Sequence, residues 1–216
     1  MAFTAVIFDA FGTTLRIGTR THPYRQLLRE GAMRGRRPLP SDLHHLMKAN
    51  ISLREAADTL GIWTSPARMA EIEAALAREI DSIALYPETL EAISELQGHG
   101  IAIAVCSNLA APYGPAVKAL MPKHTAFALS YELGVTKPDP FQYMKACHEL
   151  SVIPGKLEEE APRVVMVGDS PKCDRDGPLA VGIRGFHLDR RGIGPLRDLR
   201  EFVTLILRSQ GQIGPS

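Results

Sequence analysis

Four short apolar runs, each broken off by polar residues, set the rhythm of this chain. Ala5–Phe8 (AVIF) stops at Asp9, and Gly12-Thr13-Thr14 follows. Ile101–Cys106 (IAIAVC) runs into Ser107-Asn108, and Phe127–Ser130 leads toward Lys137-Pro138-Asp139-Pro140. Arg163–Val167 (RVVMV) runs into Gly168-Asp169-Ser170, and Gly185–Leu188 is a fifth, weaker run. Continuous apolar stretches of this length, closed by turn residues, predict strands buried on both faces. Between them, helical spacing covers Glu88–His99, Pro140–Leu150 and Leu196–Leu207. Strands alternating with helices predict an α/β fold, a doubly wound parallel sheet.

From about Ile17 to Ala84 the strand pattern is lost, and helical patterns take its place at Tyr24–Ala32, Ser41–Met47, Leu53–Leu60 and Ala67–Ile83. The expected division is an α/β core of residues 1–16 and 85–216, with a helical unit of residues 17–84 inserted after the first strand. An insertion that leaves and returns at the carboxyl end of that strand is expected to cap whatever lies there. A helical subdomain away from the site is the alternative.

Bulk properties narrow the partners. The 216 residues carry 23% charged side chains and a formal net charge of +1. Neither nucleic acid nor a membrane surface is implied by that balance. The basic stretch Arg34–Gly35–Arg36–Arg37 is local and reads as a solvated helix end or loop. No apolar run approaches the ~20 residues of a spanning helix. The opening Met1-Ala2-Phe3-Thr4 lacks the basic start and cleavage pattern of a secretory leader. Three cysteines (Cys106, Cys147, Cys173), with no CxxC pair, fit a reduced, cytoplasmic setting. The histidines show no zinc spacing, and the single tryptophan, Trp63, is expected in the core of the helical unit. The expected partner is a small anionic metabolite, bound by a monomer or homodimer.

In open α/β sheets, ligands sit beyond the carboxyl ends of the strands. Asp9, Ser107, Lys137 and Asp169 all follow predicted strands, so the fold gathers them on one rim. Each alone reads as a helix cap, turn or loop residue. Together they are chemically complementary and form a site for anionic substrates.

Four motifs carry a family resemblance: Phe8-Asp9-Ala10-Phe11-Gly12-Thr13-Thr14-Leu15, then Ser107-Asn108, then Leu133–Pro140 (LGVTKPDP), then Val167-Gly168-Asp169-Ser170 with Asp174 and Gly177. In this order and at these separations the chain resembles the haloacid dehalogenase superfamily, from about Ala2 to Asp189, with the helical insertion where that family has its small cap. The resemblance implies a Rossmann-like core and a hydrolase that uses Asp9 as a covalent nucleophile. It implies that Lys137 supplies a fixed positive charge beside Asp9, and that Ser107 binds substrate oxygens. Gly12, Thr13 and Asn108 are expected at the substrate, and Arg16 and Arg20 are placed to meet a substrate anion where the chain enters the cap. The implied cofactor is Mg²⁺, held by Asp9, the backbone carbonyl of Phe11, Asp169 and Asp174. Asp174 also reads as an N-cap for the helix that follows.

One position departs from the family's phosphatases. They carry a second Asp two residues after the nucleophile, which protonates the leaving group; here that residue is Phe11. General acid–base catalysis is worth ~10²–10⁴-fold. A substrate with a good leaving group, a small phosphorylated metabolite or a phosphonate, is therefore expected. Two relatives share the departure. The 2-haloacid dehalogenases read Asp-Ala-Tyr-Gly-Thr, close to Asp-Ala-Phe-Gly-Thr here, but do without both the metal and the Gly-Asp kept at Gly168-Asp169. Phosphonoacetaldehyde hydrolase keeps the metal and uses a cap lysine as an amine. Lys48, the only lysine between Asp9 and Lys118, is the corresponding candidate. The remaining reading is a binding protein that keeps the fold with an impaired site.

Overall fold

A computed structural model describes residues 3–155, 163–192 and 194–211. The chain runs β1 (Ala5–Phe8), β2 (Leu15–Ile17), α1 (Pro23–Met33), α2 (Asp42–Leu46), α3 (Leu53–Thr59), α4 (Pro66–Asp81), β3 (Ile83–Leu85), α5 (Thr89–Gly98), β4 (Ala102–Ser107), α6 (Gly114–Leu120), β5 (Ala126–Leu129), α7 (Ser130–Leu133), α8 (Pro140–Glu149), β6 (Val164–Gly168), β7 (Arg184–His187) and α9 (Leu199–Gly211). Short helical turns lie at Ala111–Tyr113, Pro171–Asp176 and Gly177–Val181.

Five strands form a parallel sheet in the order β5-β4-β1-β6-β7. The expected α/β parallel architecture is present. β1 is central because all four of its residues are fully buried, on both faces. Val6 and Phe8 pack toward α5 and α9, while Ala5 and Ile7 pack toward Tyr143, Ala146 and Cys147 of α8. The register aligns Phe8 with Val105 on one side and Val167 on the other. The chain winds outward in opposite directions from β1, so its carboxyl tip opens into the crevice where such sheets bind ligands.

The insertion is tied down by local sequence as much as by packing. α3 starts with a capping box, Ser52 and Glu55 bonding each other's backbone N–H, and α4 starts at Ser65, which accepts from Arg68 N. The buried faces of these helices (Leu27, Leu46, Leu53, Ile72, Leu76) join the same apolar cluster as Val6 and Phe8. Among the described residues no helix is long and apolar enough to cross a membrane.

The structure departs from the sequence expectation at three places. β2 and β3 form an antiparallel ribbon where no strand was expected, so the stretch expected to be all-helical is entered and left through three-residue strands. Ile83, expected at the end of a helix, belongs to β3, because α4 stops at Asp81. Trp63 is 63% exposed, with the Arg34 guanidinium stacked 4.3 Å from its ring centre, and fills no core.

Candidate active site

The tip of β1 carries the most heavily charged buried cluster among the described residues. The Asp9 backbone N–H still donates to Val167 O, at 2.9 Å, so the side chain is fixed at the last rung of the sheet. The loop then folds back, with Thr14 Oγ1 donating to the Asp9 carbonyl at 3.0 Å. The Asp9 carboxylate accepts from Ser107 Oγ at 3.0 Å and from Lys137 Nζ at 2.7 Å, both at Oδ1. Lys137, 4% exposed, also donates to Asp174 Oδ1 at 2.7 Å.

Carboxylates outnumber cations here. Asp9, Asp169 and Asp174 each place an oxygen within 4.8 Å of the others. Burial pushes the Asp9 carboxyl up to about 6; Lys137 opposes that rise, and Asp174 and Asp169 add to it. Asp169 is raised too, by desolvation and then by Asp174, although it stands at the exposed mouth. Burial alone would lower Lys137, but its two carboxylate partners hold it well above its ordinary value, and it stays charged. An excess of hard oxygen donors around one opening of about 250 Å³ is what a divalent cation such as Mg²⁺ suits.

Two glycines make this crowding possible. Gly12 has φ +87°, and a β-carbon there would lie 2.2 Å from Asp169 Oδ2. A β-carbon on Gly168 would lie 2.2 Å from Asp174 Oδ2. Asp174 sits inside the turn Pro171–Asp176 rather than at a helix start. Ser170 is the N-cap of that turn; Asp174 Oδ2 accepts from Ser170 N at 2.9 Å, while its Oδ1 accepts from Lys137 Nζ and so faces the site.

Several supports had no local signal. The Asn108 amide bonds both backbone groups of Lys137, accepting from its N–H at 2.8 Å and donating to its carbonyl at 3.0 Å. Asn108 lines the opening, but its side chain is engaged in placing Lys137. Gln142 Nε2 ties Ser107 O to Ala128 O, each at 3.0 Å, fixing the tips of β4 and β5. Arg190 reaches back across the chain, with Nε donating to Gly12 O at 3.1 Å and Nη2 to Thr13 O. It is held by Glu88 at 2.8 Å and stacks 3.4 Å from the Tyr86 ring centre.

Phe11, two residues after Asp9, brings an apolar contact to the rim. Its ring meets Tyr113 edge-on, with centroids 5.9 Å apart. Beyond it lies a second cavity of about 230 Å³, which shares Phe11 and Asn108 with the charged opening. Glu79 stands in its wall. Burial alone would raise that carboxyl, but donors from His22 N, Tyr113 OH and Thr21 outweigh it and hold Glu79 below the ordinary range.

The remaining expected residues lie elsewhere. Lys48 is half-buried beyond α2, and Arg16 is exposed on β2; neither lines the charged opening. Strand alternation turns Arg16 away from Leu15 and Ile17, which face the interior. Thr13 is fully buried, and its hydroxyl has no hydrogen-bond partner within the protein.

Fold and rim together define a parallel-sheet α/β protein with an acidic, lysine-buttressed site at its switch point. The family model of haloacid dehalogenase-like hydrolases matches residues 3–182, and the chain belongs to that family. It is 34% identical over 145 residues to a phosphoserine phosphatase of Thermus thermophilus, an alignment covering 66% of this chain. The chain thus spans only about half of that relative, 54% of its length. Among solved structures it is similar to a family enzyme of Bacteroides thetaiotaomicron in complex with magnesium and inorganic phosphate (TM-score 0.60, 15% identity, covering 87% of this chain and 95% of that one). It is also similar to a 2-haloacid dehalogenase of Pseudomonas syringae (TM-score 0.62, 18% identity, covering 96% and 99%). At these identities the structural likeness speaks for the fold.

Proposed function

We propose that this chain is a Mg²⁺-dependent phosphohydrolase whose nucleophile is Asp9 and whose substrate is a small phosphorylated metabolite with a good leaving group. The observation that carries the reading is the carboxylate of Asp9, fixed at the β1 tip, with Lys137 at 2.7 Å and the Asp169 and Asp174 oxygens within 4.8 Å. The phosphatase relative and the magnesium–phosphate neighbour support it. Residues 17–84 act as the cap in this reading, over a core of residues 1–16 and 85–216.

The roles follow from what each side chain touches. Asp9, Asp169 and Asp174, with the Phe11 carbonyl, would hold Mg²⁺, which when bound neutralises charge on the phosphoryl oxygens. Lys137 keeps Asp9 aimed and adds the fixed positive charge that an incoming dianion needs. Ser107, already bonded to Asp9, can turn its hydroxyl to a substrate oxygen. The Asp9 carboxylate attacks phosphorus, the bond to the leaving oxygen breaks, and the electron pair departs with that oxygen. Water then displaces Asp9 from phosphorus, which releases phosphate and restores the carboxylate. Phe11 donates no proton in the first step and accepts none in the second. The phosphonate route would use Lys48 as an amine, and that residue is not in the lining of the opening.

The test is phosphate release from p-nitrophenyl phosphate, with Mg²⁺ and with excess chelator. Metal-dependent release that disappears in Asp9→Asn supports the reading. Absence of release, together with chloride release from 2-chloropropionate, would replace it with the dehalogenase reading.

A further inference from the structure

We propose that the apolar cavity behind Phe11 is the leaving-group subsite, and that the substrate class is phosphate esters of uncharged aromatic alcohols. This rests on the phosphohydrolase reading and narrows it. Three observations converge. First, the cavity adjoins the charged pocket, and Phe11 and Asn108 belong to both walls. A group attached to a phosphate seated at Asp9 has this volume as its apolar neighbour. Second, the cavity is about 230 Å³ and is walled by Phe11, Ile17, Leu46, Leu109 and the rings of Tyr24 and Tyr113. An apolar cavity of about 150 Å³ already takes benzene. Tyr113 stands edge-on to Phe11 and tilted to Tyr24 at 6.4 Å, which leaves aromatic faces and edges for a fourth ring.

Third, the Glu79 carboxylate, the Tyr113 hydroxyl and the Asn108 amide in the wall are already bonded within the protein, which leaves the Tyr24 hydroxyl, among the described residues, as the one phenol there still open to a ligand. The Tyr113 hydroxyl donates to Glu79 at 2.8 Å, Glu79 accepts from Thr21 and His22, and the Asn108 amide is held by Lys137. A leaving group rich in hydroxyls would find few partners here and would lose its own hydration. Glu79 also keeps a buried negative charge beside the cavity, 5% exposed, which repels an anionic substituent.

The chemistry selects the same class. With Phe11 in place of an acid, the leaving oxygen must depart as an anion. A phenol, with a pKa of about 10, tolerates this far better than an alkyl alcohol. As Asp9 bonds to phosphorus, the phosphorus–oxygen bond breaks, and the aryloxide leaves with the electron pair and takes a proton from solvent. Water then releases phosphate from Asp9, its protons shared between phosphate and solvent.

The experiment compares kcat/KM, in Mg²⁺, for 2-naphthyl phosphate, 4-carboxyphenyl phosphate, glycerol phosphate and acetyl phosphate. Acetyl phosphate leaves easily but is too small to fill the cavity. We expect the naphthyl ester to have a KM about ten- to a hundredfold below that of acetyl phosphate, and the carboxyphenyl and glycerol esters to be poor. Leu43→Trp, on the partly exposed cavity wall, is expected to cut the naphthyl-to-acetyl preference at least tenfold. Neutral 2-naphthol is expected to inhibit competitively, and 2-naphthoate is not, a comparison that needs no variant. Turnover of acetyl phosphate with no naphthyl preference and no naphthol inhibition overturns the subsite while leaving the phosphohydrolase intact. Phosphate release from none of the four compounds overturns both.

Discussion

The two cavities that meet at Phe11 are built in opposite ways. On one side, Asp9, Lys137, Asp169 and Asp174 come from the tips of β1 and β6 and from nearby loops, and the side chains of Asp9, Lys137 and Asp174 are each held by two hydrogen bonds. On the other, much of the wall comes from α1, α2 and β2, and its surface is mainly apolar and aromatic. The sheet supplies rigid points at which charges can be held close together. The inserted helices supply shape. Such a division lets chemistry and leaving-group choice vary separately, with residue 11 at the boundary between them.

Four substitutions break or sharpen that contrast. Asp9→Asn removes the nucleophile and is expected to lower turnover of p-nitrophenyl phosphate by at least about 10⁴-fold, with the fold intact by circular dichroism. Phe11→Asp moves an acid to the boundary. Hydrolysis of glycerol phosphate is expected to rise about 10²–10⁴-fold while aryl esters gain much less. An equal gain on both classes would mean that the missing acid does not set the substrate range.

Arg190→Ala leaves both walls in place but frees the Gly12 and Thr13 carbonyls. Hydrogen bonds to a charged group contribute about 1.5–3 kcal/mol, so kcat is expected to fall roughly tenfold with little change in KM, and Arg190→Lys to recover part of it. A change confined to KM would instead make Arg190 a substrate contact. The smallest effect concerns stability. Glu79 is held below its ordinary value near 4.5, so its stabilisation is complete above that pH and is lost as pH falls through the depressed value. Glu79→Gln is expected to melt a few degrees lower than the parent chain at pH 7, with the gap closing below about pH 4. A gap that widens in acid would contradict the ionised assignment.

Much of the charged side was legible in the sequence, because Asp9, Ser107 and Asp169 stand at or just after the ends of apolar runs whose strand character is local. β1 was expected at Ala5–Phe8 and is found there. The insertion was harder to read. β2 and β3 have three residues each, too short for any periodicity, and they exist through pairing between residues 66 to 70 positions apart. Arg190 bonds Gly12 across 178 positions, and Glu79 meets Thr21 across 58, contacts that leave no local trace. Lys48 and Arg16 show the converse. Their charge and position suggested a role at the substrate, but which way a side chain faces is set by strand alternation and helix packing, and both lie outside the lining of the charged opening. Asn108, expected at the substrate, lines the opening, and its amide is engaged in holding Lys137.

The central claim is that phosphorus passes through the carboxylate of Asp9. Because Phe11 accepts no proton from the attacking water, the second step should be the slow one. Acid-quenched turnover of p-nitrophenyl phosphate in Mg²⁺, followed by mass spectrometry of the peptides, should then find one added phosphoryl group on the peptide bearing Asp9, and none in Asp9→Asn. Steady turnover with that peptide unmodified, or with the phosphoryl group on another residue, would contradict the account.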